Sequence, residues 1–419
     1  MIFKRAIIVF IFLKISLLML TTYSANATVW TVSPTTQTKS IKQALETAHA
    51  GDTIHILKGT YKEGNIIIDK PITLFGEDFP ILDGELKNEV ISIKSNDVTI
   101  KGLQLQNSGR MVMSDPGAVK VYDSKNIIIE QNILLNNYFG IYLQYSNHCI
   151  IKNNIIKATQ KAENQSGNGI HCWKSDSIQI IGNKIVGHRD GIYFEFVKNS
   201  VIWRNRSINN LRYGLHFMFS NDNTYISNYF RSNGAGVAVM YSKKVTMIHN
   251  TIEENWGDAA YGILFKELSD CYLSGNIFKR NTTGILFDGC SRTLLEHNTF
   301  QANGWAIRLQ ASSIDNRLEK NNFIGNTFDA TTNGTLTLNH FSENYWDKYE
   351  GYDLDKDKIG DVPYHPLSLY AVIIEKNPPA MLLYRSFMIS LLDKSEKLIP
   401  SLTPENFIDK SPKMIPNKI

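Results

Sequence analysis

The stretch YGLHFMFSND (213–222) sets His216 and Met218 two residues apart, and AGVAVMYSKK, 22 residues on, brings Met240 to the place of Met218. If both stretches are β-strands, alternate side chains share a face, so Leu215 and Phe217 point one way and His216 and Met218 the other. An imidazole with two thioethers is a soft ligand set, and the ion it suits is Cu(I). His171, Met111 and Met113 are further candidates for holding the same ion in passage. The same residue types also build an ordinary apolar patch beneath a loop or a partner protein. The residues alone leave both readings open, so the elements that carry them matter.

Those elements repeat. Gly140, Gly169, Gly191, Gly214, Gly236, Gly262, Gly284 and Ala306 are spaced 29, 22, 23, 22, 26, 22 and 22 residues apart. A second landmark, Asn154, Asn183, Asn205, Asn228, Asn250, Asn276 and Asn298, follows each of the first seven by 14 residues. A period of about 22 residues, rich in β-branched side chains with fixed Asn and Gly corners, predicts an all-β chain folded as a right-handed parallel β-helix. We expect roughly ten coils between residues 50 and 340, stacked at a strand spacing of about 4.8 Å. The Asn corners are expected to form amide ladders. Length varies mainly between the Asn corner and the next start, in NSGRMVMSDPG, KATQKAENQSGN and EENWGDAAY. Three loops are therefore expected at one corner, next to the strand of His216 and Met218.

Counting from each Gly, the second and fourth residues face outward. One column reads Tyr142, His171, Tyr193, His216, Ala238, Leu264, and the other Gln144, Trp173, Glu195, Met218, Met240, Lys266. Solvated strands carry Thr, Ser and Lys at such positions, so this face either binds something or is covered.

The remaining segments set the boundaries. Lys4 and Arg5, a short apolar run and SANA ending at Ala27 have the form of a secretory signal peptide, 1–27. A cap with a short helix in SIKQALETA is expected in 28–50, the β-helix over 51–345, an acidic closing loop at 346–366 and a partner-docking tail at 367–419. Without the first 27 residues Lys and Arg number 41 against 40 acids, a balance that argues against nucleic acid as a partner. No stretch beyond the signal is apolar enough to span a bilayer. Cys149 and Cys271 share a column five coils apart, and Cys172 takes an inward position, so no disulfide is expected. Asp353, Asp355, Asp357 and Asp361 have spacings like a calcium loop but lack its Gly and its final Glu; a structural Ca²⁺ and a plain acidic turn both fit. In the tail Met381, Tyr384, Met388 and Leu391, with Phe387 adjoining, fall on one helical face suited to a protein partner.

Taken together, GNGIHCWKSD, GHRDGIYFEF, NNLRYGLHFMFSND, GVAVMYSKK, NWGDAAYGILFKE, NYWDKYEGYDLDKDKIGDVPY and LTPEN resemble the NosD family of periplasmic nitrous oxide reductase maturation proteins. The resemblance implies a pectate-lyase-like β-helix with no enzymatic activity of its own, docked on an ABC transporter of membrane subunits and cytoplasmic ATPases. It further implies that Cu(I) is received from a membrane-anchored copper chaperone and passed toward the copper–sulfide centre of apo nitrous oxide reductase. Two other classes fit a β-helix: a Ca²⁺-dependent polysaccharide lyase or epimerase, and a glycan-binding module using Tyr142, Trp173 and Tyr193. The first needs clustered carboxylates beside a base, whereas Glu195 and Lys266 are three coils apart, about 14 Å.

Overall fold

The computed structural model describes residues 27–34, 38–110, 115–159, 162–257, 260–334, 338–389, 391–392 and 407–419. Met111, Met113 and the expected signal segment up to Asn26 lie outside them.

Three parallel sheets of 14, 12 and 13 strands wrap into a right-handed solenoid of about 13 turns. Each coil passes in turn through sheet one (Val29–Val32 to His340–Ser342), sheet three (Thr60–Tyr61 to Tyr345–Trp346) and sheet two (Ile66–Ile68 to Phe328–Thr332). The coil count exceeds the expected ten because the first coils lack the Gly and Asn landmarks, although their strands pair in the same way.

Small residues and amides determine the corners. A Cβ on Gly214 would lie 2.6 Å from the Gly236 carbonyl oxygen, so the coils stack this closely only because no side chain intervenes. At the turn from sheet one to sheet three, the expected ladder runs from Asn132 to Asn344. Asn183, for example, donates its backbone N–H and side-chain amide to Asn205 Oδ1 at 2.9 and 3.0 Å, and to the Ile151 carbonyl at 2.9 Å. Buried amides satisfied in this way repay their desolvation. Sheet three carries an inner stack, with ring centroids 4.8, 5.0 and 4.0 Å apart along Phe278, Phe300, Phe323 and Trp346.

Both edges are closed. The helix Ile41–Thr47, capped by Ser40, buries Ile41, Ala44 and Leu45 over the first coil, as expected from the sequence. At the other end Asp409 continues the amide ladder: its Oδ2 accepts from Asn344 N, Asn344 Nδ2 and Trp346 Nε1 at 3.1, 3.0 and 3.1 Å. Residues 407–419 thus return to the solenoid and cap it, with Phe407 fully buried against Phe341. All four cysteines are free and buried. Burial pushes the thiols up, Cys149 to about 11 and Cys271 and Cys290 to about 12, leaving them inert.

Candidate metal centre

The outward side chains of sheet two pair in the two columns read from the sequence. Met218 and Met240 are direct cross-strand partners, and His216 stands beside Ala238 on the same strands. In the first column, ring centroids are 4.4 Å apart for Tyr142–His171, 4.7 Å for His171–Tyr193 and 4.9 Å for Tyr193–His216. The Tyr193 ring separates the two imidazoles, which therefore do not share an ion.

His216 is only 5% exposed. Its ring lies 4.8 Å from that of Tyr213, and its Nδ1 is 3.4 Å from Arg212 Nη2 and 3.8 Å from Asp190 Oδ2. Asp190 is fully buried at the start of the preceding strand, and accepts Arg212 Nε and Nη2 at 2.9 and 2.6 Å. Burial alone pushes this carboxyl up, but His216 and Arg212 outweigh it and hold Asp190 below its ordinary value. Asp190 and Arg212 both lie on the Nδ1 side of the ring and hold it there, so Nε2 is the ring nitrogen left for a ligand. That Nε2 atom is buried and has no hydrogen-bond partner among the described residues. Met218 and Met240 are half-buried, and the Tyr193 hydroxyl donates to Met218 Sδ at 3.7 Å. An orphaned buried imidazole nitrogen on the face that carries two paired thioethers fits a soft cation.

His171 is placed differently. Arg189 Nη2 donates to Asn168 Oδ1 at 3.2 Å, which orients the amide so that Asn168 Nδ2 faces His171 Nδ1 at 2.9 Å. Nδ1 then accepts and the proton sits on Nε2. Burial, with Arg189 nearby, pushes this imidazole down to about 3, so it stays neutral. Asn168 belongs to one of the three expected insertions, which leave at the corner between sheets three and two.

Asp190, Arg212 and Asn168 were not singled out from the sequence. The signal for Asp190 was its position directly before a landmark glycine, where Tyr213 and Ala235 stand in the next coils.

The other expected sites are resolved in part. Asp353, Asp355 and Asp357 bring ligand oxygens within 4.8 Å of one another. They also accept the loop's own N–H groups, of Asp357, Lys358 and Ile359, while Asp361 accepts that of Leu354. The carboxylates close this turn themselves. In the tail a helix Leu369–Lys376 and a 3₁₀ segment Pro378–Leu383 pack on the last coil, and the chain breaks at Arg385, φ 64°. The expected continuous helical face is therefore absent. Met381 turns in against the cluster of Phe328, Tyr370 and Ile389, and the Tyr384 ring packs on Phe328 and Tyr370 with one side exposed, whereas Phe387, Met388 and Leu391 are exposed together with Leu382. No helix among the described residues is long and apolar enough to cross a membrane.

Residues 45–165 and 158–351 match the family described as "Periplasmic copper-binding protein (NosD)". The chain belongs to the NosD family. A Pseudomonas aeruginosa relative named "Probable ABC transporter binding protein NosD" is 30% identical over 370 residues, 84% of this chain and 86% of the relative. One of the same name from Stutzerimonas stutzeri is 27% identical over 372 residues, 84% of each chain. Solved structures share the fold alone: the catalytic domain of a GH87 alpha-1,3-glucanase (TM-score 0.60, 14% identity, 74% of this chain and 68% of that one) and the A-module of the Azotobacter vinelandii mannuronan C-5 epimerase AlgE4 (TM-score 0.53, 15% identity, 72% and 87%).

Proposed function

We propose that this NosD-family chain is a periplasmic, non-enzymatic copper carrier that holds Cu(I) as cargo through His216 Nε2, Met218 and Met240. The observation that carries the reading is the buried, unpartnered Nε2 of His216 on the face of the in-register thioether pair. Asp190 and Arg212 hold the imidazole in position. Two or three soft ligands suit an ion that must be released again. His171, with Nδ1 already engaged, is at most a secondary stop, as are Met111 and Met113. Supply of copper by a membrane-anchored chaperone and delivery to apo nitrous oxide reductase belong to the same proposal. The names of the two relatives support docking on an ABC transporter. We assign that contact to the exposed side chains of Tyr384, Phe387, Met388 and Leu391, without Met381. A structural Ca²⁺ at the acidic turn is a weaker proposal, since backbone donors already engage those carboxylates.

The lyase reading has less support. Two methionine rungs separate Glu195 from Lys266. A glycan platform at Trp173 is disfavoured because Lys174 Nζ lies 4.7 Å over that ring. The deciding experiment is Cu(I) stoichiometry and affinity by chelator competition, comparing wild type with the Met218→Leu, Met240→Leu double variant. Leucine keeps the apolar volume and removes sulfur, so affinity should fall at least about tenfold, the scale of one lost ligand interaction. Binding like that of wild type would reduce the patch to packing.

A further inference from the structure

A second site lies away from the copper face, at the C-terminal end of the solenoid. Where the solenoid ends, the last strand of sheet two, the acidic loop and the helix Leu369–Lys376 enclose a cavity of about 1030 Å³. Its lining includes Phe328, Asp329, Tyr349, Tyr352, His365 and Tyr370. The position of Asp329 follows from the repeat. From Gly140 to Gly284 the coils carry Gly, then Ala306, at this point because the next coil lies on top: a Cβ on Gly284 would sit 2.4 Å from the Ala306 carbonyl oxygen. Phe328–Thr332 is the last strand of its sheet, so no further strand of that sheet bars a larger side chain here.

The side chain that stands there is a carboxylate only 2% exposed. Its contacts are long: Lys348 Nζ at 3.3 Å and the second hydrogen of Asn326 Nδ2 at 3.5 Å, the first being donated to the Phe300 carbonyl at 2.9 Å. Across the cavity His365 Nδ1 is covered and has no hydrogen-bond partner among the described residues. Burial pushes the Asp329 carboxyl up and the His365 imidazole down, in keeping with polar groups short of partners. Each buried polar group left unmet costs on the order of 1–3 kcal/mol, so an occupant that brings hydrogen-bond donors is favoured over an apolar one. A cationic occupant is disfavoured because Lys348 already supplies the counter-charge, and an anion would meet Asp329. Tyrosine rings alongside suit the C–H face of a saturated ring, and the volume is that of a small-molecule site.

We propose that this cavity binds a neutral carbohydrate of one or two residues, with its hydroxyls donating to Asp329 and His365 Nδ1 and its ring face lying on the tyrosines. The site is independent of the copper reading. The test is saturation-transfer NMR on the full chain with glucose, mannose, galactose and maltose as probes, each at about 10 mM, a concentration that reveals millimolar affinity. At least one sugar should show transfer, weakened about tenfold by Asp329→Asn through loss of the charged acceptor. Tyr352→Ala, at a largely exposed position, should weaken it as well and carries the test if Asp329→Asn fails to fold. Silence with all four sugars, or transfer that neither variant changes, overturns the proposal.

Discussion

Replacing His188 by asparagine should stabilise the protein and flatten its response to acid. At the turn from sheet three to sheet two, Asn210, Asn233, Asn255, Asn281, Asn303 and Asn326 form a second ladder, each backbone N–H donating to the next Oδ1 at 2.9–3.2 Å. His188 occupies the rung before Asn210 and donates its backbone N–H to Asn210 Oδ1 at 3.1 Å. Its ring is fully buried; Nδ1 and Nε2 lack a well-formed hydrogen bond among the described residues, and only the Gly167 backbone offsets the burial. An asparagine there would place Nδ2 against Asn210 Oδ1. By the register of Ile156 with Ile185 it would also meet the Ile156 carbonyl, as Asn303 meets that of Phe278. Satisfying these groups gains about 1–3 kcal/mol, less about 1 kcal/mol for the smaller volume.

The pH arm gives an independent magnitude. Burial pushes the His188 imidazole down to about 4, against about 6.5 in the unfolded chain. Between those values the unfolded state binds more protons, so stability rises with pH in that window and is fully present above 6.5. The folded state therefore loses about 3 kcal/mol from this residue as pH falls from 6.5 to 4. Urea unfolding of wild type and His188→Asn at pH 7 and pH 4.5 measures both arms. The variant should be more stable at pH 7 and show a shallower decline. Equal declines, or destabilisation at pH 7, would refute the argument that the buried ring lacks partners.

Gly214→Ala should destabilise by about 1–3 kcal/mol or more in the same unfolding assay, because its Cβ meets the Gly236 carbonyl at 2.6 Å and Asn233 Nδ2 at 2.7 Å. Asp409→Ala should strip three buried donors of their acceptor at a cost of about 3–9 kcal/mol, read as faster hydrogen exchange at residues 338–346, while Asp409→Asn keeps the acceptor and most of the protection. Asp190→Asn should lower Cu(I) affinity about tenfold by loosening the Arg212 and His216 side chains that it holds, with chelator competition as the readout. Replacing Leu382, Phe387 and Met388 together by Ser should abolish co-purification with an ABC transporter while leaving the melting temperature unchanged, since all three are exposed.

The fold was legible because its spacing rules arise from backbone contact. Gly191 and Gly214 recur at their interval because each Cβ would strike the next coil, and the first Asn ladder because each amide needs the one above it. The second ladder is less legible because Thr159 and His188 interrupt it, although it stands five residues after the first. Turn chemistry was less informative. Phe196, Phe219 and Tyr241 take φ values of 52–55°, a region side chains of this size rarely adopt. Their rings stack at 5.1 and 5.0 Å, so contact between coils overrides local preference.

The candidate site was legible only as far as period and parity reach. Strand alternation placed His216, Met218 and Met240 on one face, and the repeat length paired the two thioethers; both follow from the backbone alone. What gives His216 its chemistry comes from the corners instead. Asp190 belongs to the preceding coil and Arg212 to the turn before the strand, and they meet only because one coil sits on another. The tail illustrates the same limit in the other direction. Helical periodicity put Met381 and Met388 on one face, but the left-handed turn at Arg385 rotates one segment against the other. Met381 is thereby half-buried against the cluster of Phe328 and Tyr370 while Met388 faces out. In a solenoid the sequence states what each coil repeats, and the chemistry falls to the residues that break the repeat: Asp190 before a landmark glycine, His188 in an asparagine ladder and Asp329 at the end of the glycine column.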